Sequence, residues 1–286
     1  MKKDIYFYWG NETMSYMRYM TLYSFCIFNP DWKVYLIKNS IPTTRVMHTA
    51  EKQDKTEYKG KDYSGYLEDL NVNTVNFELS MIDLDANIVC DMSDVHIKDI
   101  LNWKILSEFG GVVADMDILF TKSITGQINE NTDIGLVCFD GYPEKNYIPV
   151  TLMYSSGANN FFEKTYRNSL AGYDPYSYES CGNLCMEERT LEDVRLNFPN
   201  VVIQKLNNEI IFPFVNYPYH EAIAKLHTAV HTGEMVSEAI GIHWYGGNQV
   251  SQANTYVIND ENIYKIDNTL TIATRGVLCQ NPNNQK

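Results

Sequence analysis

Ile5-Tyr6-Phe7-Tyr8-Trp9-Gly10-Asn11-Glu12-Thr13 opens a stretch that runs on to Trp32-Lys33-Val34-Tyr35-Leu36-Ile37, and the order of elements within it sets the fold class. Ile5 to Trp9 is β-branched and aromatic and stops at the turn pair Gly10-Asn11, the pattern of a short buried strand. Asn11-Glu12-Thr13 offers side-chain acceptors for a helix start. Met14, Met17, Met20, Tyr23 and Ile27 then recur at helical spacing until Asn29-Pro30 ends the run. Trp32 to Ile37 reads as a second strand. A β-α-β opening builds a parallel sheet through a right-handed crossover, which makes this an α/β chain.

Outward from that unit, Glu51 to Gly65 is charged and rich in Tyr and Gly without periodicity, as in a surface loop. Strands are expected at Thr74 to Glu78, Val112 to Ala114, Ile134 to Phe139, Ile148 to Tyr154 and Val201 to Gln204. Helices are expected from Ser93-Asp94 to Phe109, near Asn160 to Ser169 and near Leu191 to Phe198. No linker or internal repeat interrupts the chain. The expectation is one domain over residues 1–279 with helical and loop additions, and a frayed polar tail over 280–286.

The 286 residues suffice for a sizeable core, and 44% hydrophobic against 21% charged residues excludes wholesale disorder. Lys and Arg number 23 against 36 Asp and Glu, a net charge of −13, which disfavours a nucleic-acid partner. Six cysteines lie scattered at Cys26, Cys90, Cys138, Cys181, Cys185 and Cys279, without the spacing of a disulfide scaffold, as suits a reducing compartment. No apolar run reaches the roughly 18 residues of a membrane span. Met1-Lys2-Lys3-Asp4 leads straight into the first strand rather than into a signal-type segment. The expected location is therefore cytoplasmic, in a bacterial cell or, for a viral protein, its host.

The stretch richest in chemistry is Asp99-Ile100-Leu101-Asn102-Trp103-Lys104-Ile105-Leu106-Ser107-Glu108-Phe109-Gly110-Gly111-Val112-Val113-Ala114-Asp115-Met116-Asp117. A helix, a glycine pair and an apolar strand deliver two carboxylates to the strand's end. In extended chain, residues i and i+2 share a face, so Asp115 and Asp117 can reach one cation. Carboxylate oxygens suit Mg²⁺ or Mn²⁺, and such an ion neutralises a diphosphate leaving group as its charge develops. An isolated Asp-x-Asp is also found in plain solvated turns, so the surroundings decide.

Those surroundings resemble the sugar-binding DXD region of retaining glycosyltransferases, the family of yeast-type initiating mannosyltransferases and bacterial glucosylating toxins. In that family an Asp-x-x-Arg helix leads to Gly-Gly, a strand and the Asp-x-Asp; Asp99 matches the helix Asp, and Asp115 and Asp117 match the pair. Ile5-Tyr6-Phe7-Tyr8-Trp9-Gly10 resembles the opening strand, and Asn29-Pro30-Asp31-Trp32 the junction to the second. Ile211-Phe212-Pro213-Phe214-Val215-Asn216-Tyr217-Pro218 resembles the Phe-Tyr-Pro segment, and Gly241-Ile242-His243-Trp244-Tyr245-Gly246-Gly247-Asn248 the His-Trp-x-Gly-Ser-Trp segment. The match is strong over 99–117, looser at both ends and faint between about Gly141 and Leu206.

The resemblance implies a GT-A type fold with a Rossmann-like, mostly parallel sheet and flanking helices. It also implies Mn²⁺- or Mg²⁺-dependent transfer of a sugar, with retention, from a nucleotide-diphosphate sugar to a hydroxyl. UDP is the favoured nucleotide; the acceptor is a glycan, a lipid-linked sugar or a protein. Asp115 and Asp117 take the catalytic role, with Asp117, Asp115 and His243 as metal ligands. Tyr8, Trp9, Asp99, Asn102, Gly111, Asp115 and Asn248 would contact the donor, Trp9 stacking on the base, and Asn183 would lie in the acceptor pocket.

The chain departs from the family at Asn102, where Arg is usual, and at Gly247 and Asn248, where Ser-Trp is usual. Lys104, two residues along a helix, points elsewhere. An unusual donor, a divergent branch and an inactive sugar- or nucleotide-binding module all accommodate these losses. Val112 to Asp117 also fits the nucleophile-x-acid pair of aspartate-based phosphatases, although there the pair opens the domain, with Thr or Val where Leu119 stands here. His227 and His231 have a spacing that can bind zinc but lack the Glu of a zinc protease, and Cys181 and Cys185 lack the two-residue zinc spacing.

Overall fold

The computed structural model describes residues 1–10, 12–39, 57–139, 148–188 and 190–280. In chain order its elements are β1 (Asp4–Trp9), α1 (Tyr16–Phe28), β2 (Lys33–Lys38), β3 (Val72–Asn76), α2 (Ala86–Cys90), α3 (Asp94–Glu108), β4 (Gly111–Ala114) and β5 (Ile118–Phe120). There follow β6 (Ile134–Cys138), β7 (Leu152–Ser155), α4 (Asn160–Ala171), α5 (Leu191–Asn197), β8 (Ile203–Asn207), α6 (Tyr219–His227), β9 (Gly241–His243), α7 (Gln249–Thr255) and α8 (Thr269–Leu278). Seven strands form one sheet in the order β3-β2-β1-β4-β7-β6-β8, and β5 and β9 form a separate antiparallel pair. Only β7 runs against its neighbours in the large sheet. The α/β, mostly parallel architecture expected from the sequence is the one observed.

Alternation within β1 explains the layers. Ile5 and Phe7 face one core with Phe25, Trp32 and Phe120, while Tyr8 joins the other with Ile97, Ile100 and Trp103 of α3 and Phe161 and Phe162 of α4. Covering both faces removes the central strands β4, β6 and β7 from water along their whole length, whereas the edge strand β3 keeps exposed Asn and Thr residues. Helix α1 is capped by Ser15, whose hydroxyl accepts the Arg18 amide at 3.4 Å, rather than within Asn11-Glu12-Thr13; Asn11 lies outside the described residues. Helix α3 is capped by Ser93 and is followed by Gly110 and Gly111 at φ +69° and +105°. A β-carbon at Gly110 would lie 2.5 Å from the Gly157 nitrogen, and one at Gly111 2.7 Å from the Asp4 carbonyl. Both positions need glycine, because β4 must start hard against β1 and β7.

Several boundaries differ from expectation. The strand expected from Ile148 begins at Leu152, the one at Val201 begins at Ile203, and the one at Thr74 begins at Val72. The segment read as a surface loop over 51–65 lies partly outside the described residues. Its Tyr63 is 1% exposed, because its ring packs on Tyr16 at 5.1 Å. The tail over 281–286 lies outside the described residues. No helix among the described residues is long and apolar enough to cross a membrane, and all six cysteines are free.

Candidate active site

The sheet order places β2 on one side of β1 and β4 on the other, so the chain's crossovers leave in opposite directions at that point. A crevice opens at the carboxyl ends of β1 and β4, as at any such switch in an α/β sheet. Trp9 ends β1, and Asp115 follows the last residue of β4, its amide donating to the Thr151 carbonyl at 2.9 Å.

Asp117 is placed by the small antiparallel pair. Ile118 of β5 lies opposite His243 of β9, and the Trp244 amide donates to the Asp117 carbonyl at 2.9 Å. This register brings a histidine from late in the chain beside the mid-chain carboxylates. His243 Nε2 stands 3.3 Å from Asp117 Oδ1, and the Gly246 amide donates to Asp117 Oδ2 at 2.6 Å. Ligating atoms of Asp115, Asp117 and His243 all lie within 4.8 Å of one another. Two carboxylates and one imidazole form a donor set that fits a divalent cation. It is the one such cluster among the described residues.

Two cavities of about 190 Å³ and 230 Å³ adjoin at Lys98, Asp115, Asp117, Tyr178 and Gly247. Tyr8, Trp9, Glu12 and Arg18 line the first; Asp99, Asn183, Tyr219, Tyr245 and Asn248 line the second. The Trp9 indole N–H donates to the Glu12 carbonyl at 2.9 Å, and the Tyr8 hydroxyl donates to Asp94 at 2.6 Å, so one wall of the first cavity is held by a local bond and the other by a bond from β1 to α3. The second depends on the turn at Cys181-Gly182-Asn183, whose Cys181 carbonyl accepts from the buried Trp103 indole at 2.7 Å. Gly182 there leaves room for Asp99, whose Oδ2 would lie 2.6 Å from a β-carbon.

Electrostatics separate the two carboxylates of the pair. Burial works to raise Asp117, yet His243, Arg18 and the Gly246 N–H outweigh it and hold its carboxyl below the ordinary range. Burial pushes Asp115 above its ordinary value; Lys98 pulls against this, and the Asp117 charge adds to it. Asp99 is likewise raised by burial. Lys98 pairs with Asp115 and stands 3.4 Å from Asp99; burial alone would lower it, but the two carboxylates keep it protonated. The result is an ionised Asp117 beside a shared Lys98–Asp115–Asp99 cluster at the seam of the cavities.

Of the residues expected at a site, Tyr8, Trp9, Asp99, Asp115, Asp117, Asn183, His243 and Asn248 all line this crevice. Asn102 is buried in α3 and lines neither cavity, and Gly111 starts β4, about 13 Å of strand away from Asp115. Gly111 serves the backbone approach to Asp4 instead. His227 bonds to Ser251 at 3.0 Å and His231 to Glu234 at 2.7 Å, so the two are not drawn to a common ion. Cys181 and Cys185 sit buried, with Cys185 bonded to backbone carbonyls. Sequence reading missed Arg18, Lys98, Tyr178, Tyr219 and Tyr245. For Arg18 a signal was present: it is the sole charged residue of α1.

No protein-family model matches the chain, and no curated protein matches it. Among solved structures it is similar to the PaToxG glycosyltransferase, at 15% identity over 97% of this chain and 87% of that one, with a TM-score of 0.52. It is also similar to the glycosyltransferase GlyE of Streptococcus pneumoniae, at 12% identity and a TM-score of 0.48, covering 98% of this chain but 64% of GlyE. An LgtC active-site mutant aligns at 13% identity over 92% of this chain and all of that one, with a TM-score of 0.39. The fold is thus the GT-A type fold of PaToxG.

Proposed function

We propose that the chain is a single-domain, metal-dependent glycosyltransferase. It takes a nucleotide-diphosphate sugar, with UDP favoured, and transfers the sugar with retention to a hydroxyl of a glycan, a lipid-linked sugar or a protein. The observation that carries this reading is the register of β5 on β9, which gathers Asp115, Asp117 and His243 at the seam of two cavities. The PaToxG-like fold supports it. The free cysteines accord with the reducing cytoplasm proposed as its location.

In this reading the first cavity takes the nucleotide, with the base against Trp9, and the second takes the sugar and the approaching acceptor. Asp117, Asp115 and His243 would hold Mn²⁺ or Mg²⁺, which when bound offsets charge on the departing diphosphate. Asp99 orients donor hydroxyls, and Lys98 is placed to meet sugar or phosphate oxygens where the cavities join. Tyr178, Tyr219 and Tyr245 supply apolar faces and hydroxyls suited to a sugar ring. Holding the acceptor hydroxyl against the anomeric carbon on the face from which the diphosphate departs, as retention requires, would supply much of the rate.

The test is a calorimetric panel of UDP, GDP and their sugars with and without Mn²⁺, on the native chain and on Asp117→Ala. Metal-dependent binding of one nucleotide, lost in the variant, is the expected result. No binding of any nucleotide would sink the reading, and trapping with beryllium fluoride would then point to aspartyl-phosphate chemistry.

A further inference from the structure

Arg18 projects from α1 into the nucleotide cavity, alongside Trp9, Asp115 and Asp117. Its guanidinium carbon lies 5.3 Å from the centre of the Trp9 ring and 4.6 Å from that of Trp244, so two indoles hold it from different parts of the chain. Gly246 closes the cradle, since a β-carbon there would come within 2.5 Å of Nη2. The side chain is 14% exposed, and its nearest carboxylate oxygen, Asp117 Oδ2, is 3.9 Å from Nη1, beyond hydrogen-bonding reach. That oxygen already accepts the Gly246 amide. Among the described residues no hydrogen bond leaves the guanidinium. A nearly buried group with five donors is thus walled by rings and left without acceptors, an arrangement a ligand can complete.

We propose that Arg18 grips the diphosphate of the nucleotide-sugar donor, an inference that rests on the donor-site reading above. The guanidinium stands between Trp9, the base platform of that reading, and Asp117, its metal end, so the diphosphate joining base to sugar passes beside it. A planar fork meets two phosphate oxygens at once, which an ammonium does not. The contact also accounts for the departures from the family pattern. Asn102 brings no cation to the crevice, and Gly247 and Asn248 bring no Ser-Trp pair, whereas Arg18 supplies a fixed cation from another element. Trp244 and Gly246 then serve to aim it.

The experiment compares the native chain with Arg18→Met, which keeps the stem between the indoles, and Arg18→Lys, which keeps the charge without the fork. Each is titrated calorimetrically with the nucleoside, the nucleoside monophosphate and the nucleoside diphosphate in Mn²⁺. Arg18→Met is expected to bind the diphosphate about a hundredfold more weakly, with the nucleoside changed less than about threefold. Arg18→Lys, the milder change should Arg18→Met fail to fold, is expected to lose about tenfold on the diphosphate alone. Native diphosphate affinity in either folded variant overturns the inference. So does an equal loss for nucleoside and diphosphate, which would make Arg18 a prop for Trp9. If the native chain binds no nucleotide, the donor-site reading fails first and takes the inference with it.

Discussion

Replacing Gly241 with Ala tests whether the β5–β9 register builds the site. Gly241 opens β9 two residues before His243 and is buried opposite Phe120. A β-carbon there would lie 2.9 Å from Ile118 Cγ2, 3.3 Å from the Leu119 carbonyl and 3.7 Å from Ile211 Cγ2. Relieving the first contact requires the strands to part by roughly 0.7 Å, to reach the normal carbon separation of about 3.6 Å. Overpacking of this kind costs about 1–3 kcal/mol. At about 2–4 °C per kcal/mol, the melting temperature should fall by about 2–12 °C. The same shift moves His243 relative to Asp117. Misplacing one ligand by that much should weaken Mn²⁺ binding by about 10–100-fold, as loss of a ligand's orienting partner does. Thermal melts without metal read the first effect, and calorimetric Mn²⁺ titration with nucleoside diphosphate reads the second. Gly233→Ala, where an added β-carbon meets nothing within 4 Å, is the control and should change neither. A Gly241→Ala protein that melts lower yet binds Mn²⁺ like the native chain would refute the claim that strand register places the ligand.

Two further expectations concern the supports around the crevice. His227 is buried, and desolvation pushes its imidazole down to about 4. The unfolded chain therefore takes up a proton, near the ordinary histidine value, that the folded chain refuses. Stability is full above about pH 6.5 and falls as pH drops toward 4, by about 2 kcal/mol between about pH 7 and 5. Urea melts at both pH values should show this loss, and His227→Asn should abolish it; an identical slope in the variant would exclude His227 as the source. Trp103→Phe removes the indole donor to Cys181 and should cost about 1–3 kcal/mol. Because that carbonyl anchors the turn carrying Asn183, affinity for the nucleotide sugar should drop more than affinity for the nucleotide, and equal losses would detach the turn from the sugar cavity.

The elements legible in the sequence were those whose signal is local. β1, α1 and β2 announce themselves within thirty-odd residues, the strands by β-branched and aromatic content and the helix by its periodicity. Residues Asp94 to Ala114 do so by a serine cap, an apolar recurrence at helical spacing and a glycine pair at positive φ, although α3, read as amphipathic, is buried at ten of its fifteen residues. What escaped were elements defined by distant partners. Three residues at Ile118–Phe120 and three at Gly241–His243 have no periodicity to read, and only their pairing makes them strands. The joining of Asp117 to His243 was therefore implied by resemblance rather than by pattern. Asn102 and Gly111 share the motif of Asp99 and Asp115 but not their place at the crevice. Asn102 shares a helix face with Asp99 but lies one turn, about 4.5 Å, further along α3 toward the end that leads into β4, so it is buried below the crevice. A strand's two ends lie apart, so Gly111 opens onto the opposite edge of the sheet from Asp115. Arg18 stood out as the sole charge of α1, but its role escaped because its partners, Trp9 and Trp244, come together only in the folded chain.

The β5–β9 pair also imposes an order on biosynthesis. The seven-stranded sheet is complete once β8 has emerged, whereas the third ligand of the ion cluster lies beyond it in the chain. At roughly 5–20 residues per second, His243 leaves the ribosome on the order of ten seconds after Asp117. During that interval a nascent chain can possess the carboxyl ends of β1 and β4 without the pairing that gathers Asp115, Asp117 and His243. In the reading proposed above, cation retention therefore waits until β9 has paired with β5.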